Sequence, residues 1–161
     1  MMKSDARELL WGRVMWVGVV VLIVSALTVP LFAATSEEKA VLGSVQALFD
    51  GMAKHDRNAV REQLWPGGMA TLLRNGRPIQ LHFDVFVAGI PTSGAQQIEE
   101  RIHDPIVHID DDLAIVWAPY DFFLDGKVEH CGTDVINLIK KEGRWLISGI
   151  ADNTHQQCPQ K

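Results

Sequence analysis

Two long strand-like runs, Leu113–Leu124 and residues 127–139, are separated by nothing but Asp125-Gly126. Asp-Gly is among the strongest two-residue hairpin signals, because a type I′ turn needs positive φ at both central residues. The two runs must therefore pair antiparallel along their length. Asn75-Gly76 marks a second hairpin, between strands at 69–74 and 77–81, after a turn at Gly67-Gly68. Residues 97–110 and 144–154 supply two further strands, with turns at Asp110-Asp111-Asp112 and at 140–143. Upstream the period is helical. Thr35-Ser36-Glu37-Glu38 matches a capping box, and Val41, Val45, Leu48 and Met52, flanked by Leu42 and Phe49, form one apolar stripe. A short helix is expected at 57–64, capped by Asp56 and stopped by Pro66, and another at 83–90, capped by Asp84. Helices first and an antiparallel meander afterwards give an α+β fold, in which the helices cover one face of a curved sheet.

Residues 14–36 carry no charge and follow Arg7 and Arg13. The apolar core at 14–24 has the length of a signal-peptide h-region, while the whole run to Ala34 is barely long enough to cross a bilayer. Pro30 breaks the helix before Leu31-Phe32-Ala33-Ala34, which favours cleavage, although neither Leu31 nor Phe32 is the small residue a signal peptidase prefers. Residues 1–34 are thus read as an export segment, either cut away or retained as an N-terminal membrane anchor through 14–34. The positive flank stays inside, so the domain at 35–155 and its tail at 156–161 are translocated, to the periplasm or beyond. The whole chain carries net charge −5, and no Lys or Arg cluster offers a phosphate-binding face, which argues against nucleic-acid binding.

Five blocks carry a family likeness: His55-Asp56-Arg57-Asn58-Ala59, Arg101-Ile102-His103-Asp104-Pro105, Trp117-Ala118-Pro119-Tyr120-Asp121-Phe122, His130-Cys131-Gly132-Thr133-Asp134 and Gly143-Arg144-Trp145. In these, and in the order of its elements, the stretch 37–153 resembles the nuclear transport factor 2-like superfamily. That superfamily includes ketosteroid isomerase, scytalone dehydratase and the SnoaL-like proteins. The likeness is greatest to its bacterial SnoaL-like or lumazine-binding-type branch of unassigned activity. The resemblance implies a cone with a pocket between sheet and helices.

An unbroken ladder from Asp125-Gly126 would pair Asp121 with His130 and Trp117 with Asp134. If the next turn pairs Ile139 with Arg144, then Leu138 opposes Trp145, Ile136 opposes Ile147 and His130 opposes Asn153. One face would then be apolar at Trp117, Phe123, Ile136, Leu138, Trp145 and Ile147, and polar at Asp121, His130 and Asn153. The other would carry Glu129, Cys131, Thr133, Asn137, Ser148 and Asp152. An apolar hollow closed by convergent polar groups suits a small, mostly apolar ligand. Asp121 and His130, with Asp134 nearby, could move a proton, or could simply satisfy each other as a buried pair. Tyr120 falls on the opposite face, so the Asp, Tyr and acid set of ketosteroid isomerases and the Tyr, His and Asp set of scytalone dehydratase are incomplete. No Arg reaches the inner face to complete the Asp-Arg-Asp arrangement of the superfamily's epoxide hydrolases.

Neither a metal nor a cofactor is indicated, since His82, His103, His108 and His155 lack ligand spacing and no Gly-rich phosphate loop or C-x-x-C occurs. Cys131 and Cys158 could close a disulfide in an oxidising compartment, tying the tail to the outer sheet face. Three functions stay open: an exported ligand-binding pocket domain, a small lyase, isomerase or hydrolase, and a homodimeric interaction domain using the exposed sheet face.

Overall fold

The structure is a computed structural model that describes residues 34–92, 96–155 and 157–158, so the export segment and most of the tail lie outside the described residues. Helix α1, Ser36–Ala53, starts on the capping box: Glu38 N donates to Thr35 Oγ1 at 3.1 Å while Glu38 Oε2 accepts from Thr35 N at 2.5 Å. Its stripe of Val41, Val45, Leu48 and Phe49 is buried. Thr35→Ala is expected to cost about 1 kcal/mol, measured by chemical denaturation, because it removes the acceptor of an otherwise free helix donor. Helix α2, Arg57–Gln63, is capped by Asp56, which accepts from Asn58 N and Ala59 N at 3.0 Å each.

Helix α2 stops before Pro66 as expected, but Pro66 and Gly67-Gly68 do not separate it from the next strand by a turn. Strand β1 runs Leu64–Arg74 straight through them, and its pairing with the last strand shifts between Leu64 and Met69 to absorb the irregularity. Strand β2, Arg77–His82, follows across the Asn75-Gly76 hairpin, and helix α3, Phe83–Gly89, has His82 at its N-cap rather than Asp84. The strand expected at 97–110 is two strands, β3 (Ile98–Ile102) and β4 (Ile106–Asp110), broken at Asp104-Pro105, where Asp104 takes φ 40°. Strands β5 (Leu113–Leu124), β6 (Lys127–Lys141) and β7 (Arg144–Asp152) complete a seven-stranded sheet. Its order is β2-β1-β7-β6-β5-β3, with β4 also on β5. The sheet is mixed, not wholly antiparallel: β1 pairs with β7 in parallel.

Two one-residue irregularities decide which side chains face inward. The Asp125-Gly126 turn (φ 50° and 77°) pairs Leu124 with Lys127, but a shift after Phe123 leaves Glu129 extra, so Phe122 opposes His130 and Asp121 opposes Cys131. One bulged residue turns the rest of β5 over relative to the unbroken ladder. The turn before β7 is the two-residue Glu142-Gly143, pairing Lys141 with Arg144, Lys140 with Trp145 and Leu138 with Ile147. A second shift at Asn137/Leu138 then brings Ile136 opposite Ile150 and Asp134 opposite Asp152.

The inner face accordingly holds Ala114, Val116, Ala118 and Tyr120 from β5, Asp134, Ile136 and Leu138 from β6, and Trp145, Ile147 and Ile150 from β7, all buried beneath α1. Trp117 is on the outer face and 50% exposed. Ile136→Ala is expected to cost 2–5 kcal/mol by the same measurement, because Ile136 is 1% exposed in the packed cluster.

Candidate functional site

Beneath α1 and α3 the inner face does not close completely. A cavity of about 160 Å³ remains, with walls from Leu48, Phe49 and Met52 of α1, Phe86 of α3, and Leu72, Phe122, Ile136 and Ile150 of the sheet. Its polar end is assembled by five strands: Arg74 closes β1, Glu100 sits in mid β3, Tyr120 in β5, Asp134 in β6, and Asp152 ends β7. The cross-strand pair Asp134 and Asp152 sets two carboxyls side by side. Arg74 answers one of them, donating from Nη1 and Nη2 to the two Asp152 oxygens at 2.5 and 2.7 Å.

Asp134 is the buried acid of this group, 3% exposed, and its Oδ2 has no hydrogen-bond partner among the described residues. Burial pushes its carboxyl up to about 7; the neighbouring Asp152 charge adds to this, while a hydrogen bond from Glu100 and the Arg74 charge oppose it. Glu100 is pushed well above the ordinary carboxylate range, first by burial of its carboxyl and then by Asp134. Glu100 is therefore the proton holder of the pair and donates to Asp134. Like charges this close do not both ionise in a place poor in water. The Tyr120 phenol is also raised, chiefly by burial, and donates to Asn153 O at 2.9 Å. Its position depends on Gly132, where an added Cβ would lie 2.0 Å from Asn153 O and 2.8 Å from the Tyr120 ring. Gly132→Ala is expected to destabilise by 3 kcal/mol or more, because backbone must move to admit the methyl. Thermal unfolding checks it, and a near-neutral result would contradict the packing described.

The expected Asp121–His130 pair does not form. Past the bulge the two residues stand on opposite faces, where Asp121 Oδ2 accepts from His103 Nε2 at 2.8 Å and His130 Nδ1 meets Glu129. His130 still reaches the cavity wall, stacked on Phe122 with ring centroids 4.8 Å apart. Of the expected acids, Asp134 alone is at the site. Trp117 and Phe123 are corrected for the same reason as Asp121: both share its outer parity, and Phe123 lies under the Arg101 guanidinium at 4.2 Å. Leu138, Trp145 and Ile147 are inward but packed into the solid core, so of the expected apolar lining Ile136 remains. Asn153 turns its side chain to Thr133 N, accepting at 2.8 Å, and contributes its backbone carbonyl to Tyr120.

Arg74, Glu100, Tyr120 and Asp152 were not anticipated at the site. Arg74 is the Arg held to be missing from the inner face, and it shares the cavity with Asp134 and Asp152. Cys131 and Cys158 form a disulfide with Cα atoms 5.7 Å apart, on the outer face where Cys131 bridges to His155. Among the described residues no group of three His, Cys, Asp or Glu is placed to hold a metal ion.

This arrangement of helices over a curved mixed sheet recurs in solved structures. An NTF2-like protein of unknown function from Silicibacter pomeroyi DSS-3 matches 76% of this chain and 100% of its own, with a TM-score of 0.61 and 19% identity. One from Shewanella baltica OS155 matches 78% and 100%, at 0.59 and 18%. The chain has the nuclear transport factor 2-like fold. A protein from Novosphingobium aromaticivorans DSM 12444 provisionally described as a scytalone dehydratase shares this fold over 77% of the chain and 89% of its own, at a TM-score of 0.63 and 10% identity. No family model matches the sequence, and no curated protein sequence matches it. Identities this low carry the nuclear transport factor 2-like fold and nothing finer.

Proposed function

We propose that the domain is an exported pocket protein that encloses a small, mostly apolar ligand and holds its one polar group at the Glu100–Asp134 pair. The observation that carries this is the buried, unpartnered Asp134 Oδ2 at the end of an otherwise apolar cavity. A buried polar atom without a partner costs free energy, and a ligand atom placed there recovers it. Size limits the ligand. An apolar cavity of roughly 150 Å³ takes up benzene, so about 160 Å³ fits a ring of that order and excludes a fused polycyclic one. Titration of the isolated protein with benzene, followed by methyl NMR, should move Leu72, Ile136 and Ile150 together. Shifts confined to Leu64 and Val87, which line a separate groove beside Trp65, or no shifts at all, would overturn the reading.

A second reading, a small hydrolase, lyase or isomerase, is favoured by Asp134 and Glu100 themselves. Paired carboxyls with one raised to about 7 are poised to accept and return a proton near neutrality. The presence of Arg74 with Asp134 and Asp152 restores the residue types that epoxide hydrolysis in this superfamily requires. Turnover of a small cyclic epoxide to its diol, lost in Asp134→Asn but kept in Asp121→Asn, is the expected result for that activity.

Export is supported by the charge-free N-terminal stretch and by the disulfide, which persists in oxidising compartments. N-terminal sequencing of the exported protein distinguishes cleavage near Ala34 from a retained anchor. Homodimerisation is supported by the outer sheet face, where Ile106 (53% exposed), Leu113 and Trp117 cluster on neighbouring strands β4 and β5. Trp117→Glu is expected to convert a dimer to monomer in sedimentation velocity without loss of fold; a wild-type monomer would remove this reading.

A further inference from the structure

The charges around the cavity do not balance. Facing Asp134 are Glu100 from β3, Asp152 from β7, Arg74 from β1 and Tyr120 from β5, while α1 and α3 contribute only apolar side chains and the His130 ring has Glu129 on its Nδ1. Three carboxyls therefore meet one guanidinium, and that guanidinium is committed to Asp152 through both of its terminal nitrogens. The protein alone can hold this cluster only by keeping protons on the Glu100–Asp134 pair. A cation inside the cavity would serve instead. Phe49, Phe86, Tyr120 and Phe122 are also among its walls, and aromatic rings attract a cation placed over their faces.

Resting on the pocket reading above, we infer that the ligand is a small hydrophobic amine whose ammonium group binds Asp134 Oδ2 while its hydrocarbon ring fills the apolar end. Three features select an ammonium over a hydroxyl or carbonyl. A carboxylate accepts a charge-assisted hydrogen bond about twice as strong as a neutral one. The acidic surplus attracts positive charge in a setting where screening by water is weak. A hydroxyl donor would satisfy Oδ2 but leave the surplus charge in place. A carbonyl would instead need Glu100 to turn its proton away from Asp134.

Proton release accompanies the binding. Below neutral pH the pair must lose a proton before Oδ2 can receive the ammonium, so affinity should rise roughly tenfold per pH unit toward pH 7. It should then level off until the amine itself deprotonates, near 10 for an alkylamine of lysine type. Arg74 and Tyr120 keep their charge states across that window, since both are shifted upward.

The test is calorimetry and methyl NMR with three ligands of one shape: cyclopentylamine, cyclopentanol and methylcyclopentane, added to the isolated protein at pH 6 and pH 8. Cyclopentylamine is expected to bind at least about tenfold more tightly than cyclopentanol at pH 8, and to release close to one proton at pH 6 in buffers of different ionisation enthalpy. In Asp134→Asn that preference should vanish while cyclopentanol still binds, which shows that the variant keeps its cavity. Cyclopentanol or methylcyclopentane binding as well as the amine in the wild type would overturn the amine inference and leave the pocket reading standing. If none of the three perturbs Leu72, Ile136 or Ile150, the pocket reading fails and the amine inference with it.

Discussion

Asp134→Asn is expected to make the protein more stable at pH 8 and to flatten its stability between pH 4 and pH 7. The sign follows from the direction of the shift. Asp134 ionises at about 7 when folded and at about 3.9 when unfolded, so over that interval the folded chain binds more protons. Stability contributed by the protonated acid is fully present below pH 4 and is lost as the pH rises to 7. At 1.36 kcal/mol per unit the loss is about 4 kcal/mol for this one group, and Glu100 acts in the same direction. The amide keeps the shape of the acid, cannot ionise, and can donate to Glu100. Its melting temperature at pH 8 should exceed the wild type's by on the order of 10 °C, with little difference at pH 4. A variant less stable than wild type at both pH values would show that the ionised form of Asp134 is what the fold requires.

Cys158→Ser should act in the opposite direction and at every pH. The Cys131–Cys158 bridge closes a loop of 27 residues' separation, which on the chain-entropy account restrains the unfolded state by about 3.5 kcal/mol. Cys158 is the better position to change, because Cys131 is 4% exposed and its replacement would also disturb packing. Chemical denaturation should show a loss of about 3 kcal/mol, and dithiothreitol treatment of the wild type should reproduce it. No effect from either would mean that the tail is held by His155 backbone pairing alone. The cavity lies on the other face of the sheet, so ligand binding should survive in both cases.

Local signals were legible residue by residue. The capping box at Thr35, the Asp56 cap and the Asn75-Gly76 and Asp125-Gly126 turns rest on interactions within four residues, and each lies where the chemistry requires. The candidate site was less legible, because it depends on parity carried from one strand to the next. A single extra residue at Glu129 inverted β5, and a second at Ser148 did the same to the end of β7. Asp152 thereby exchanged the expected solvent face for the cavity, and Asp121 made the opposite move.

A cue to the β5 inversion was present. Ala114, Val116, Ala118 and Tyr120 alternate as small or amphipathic residues fit to lie beneath a helix, whereas the set containing Trp117 also contains Pro119 and Asp121. Pro and an acid are poor tenants of a core face. Glu100 was hidden by the reading of 97–110 as a single strand, since the break at Asp104-Pro105 changes which of its residues approach α1. Arg74 stood beside a hairpin turn, where a charged residue ordinarily needs no explanation. Its pairing with Asp152 comes from the parallel neighbour β7, a relation that no local pattern encodes.

The central feature of the site is the Glu100–Asp134 pair, which holds a proton at the end of an apolar cavity. Carbon-13 NMR titration of the Asp134 carboxyl in the wild-type protein tests this most directly. The resonance should titrate near pH 7, respond to Glu100→Gln, and remain unaffected by Asp121→Asn. A midpoint near 4, as in an exposed aspartate, would contradict it.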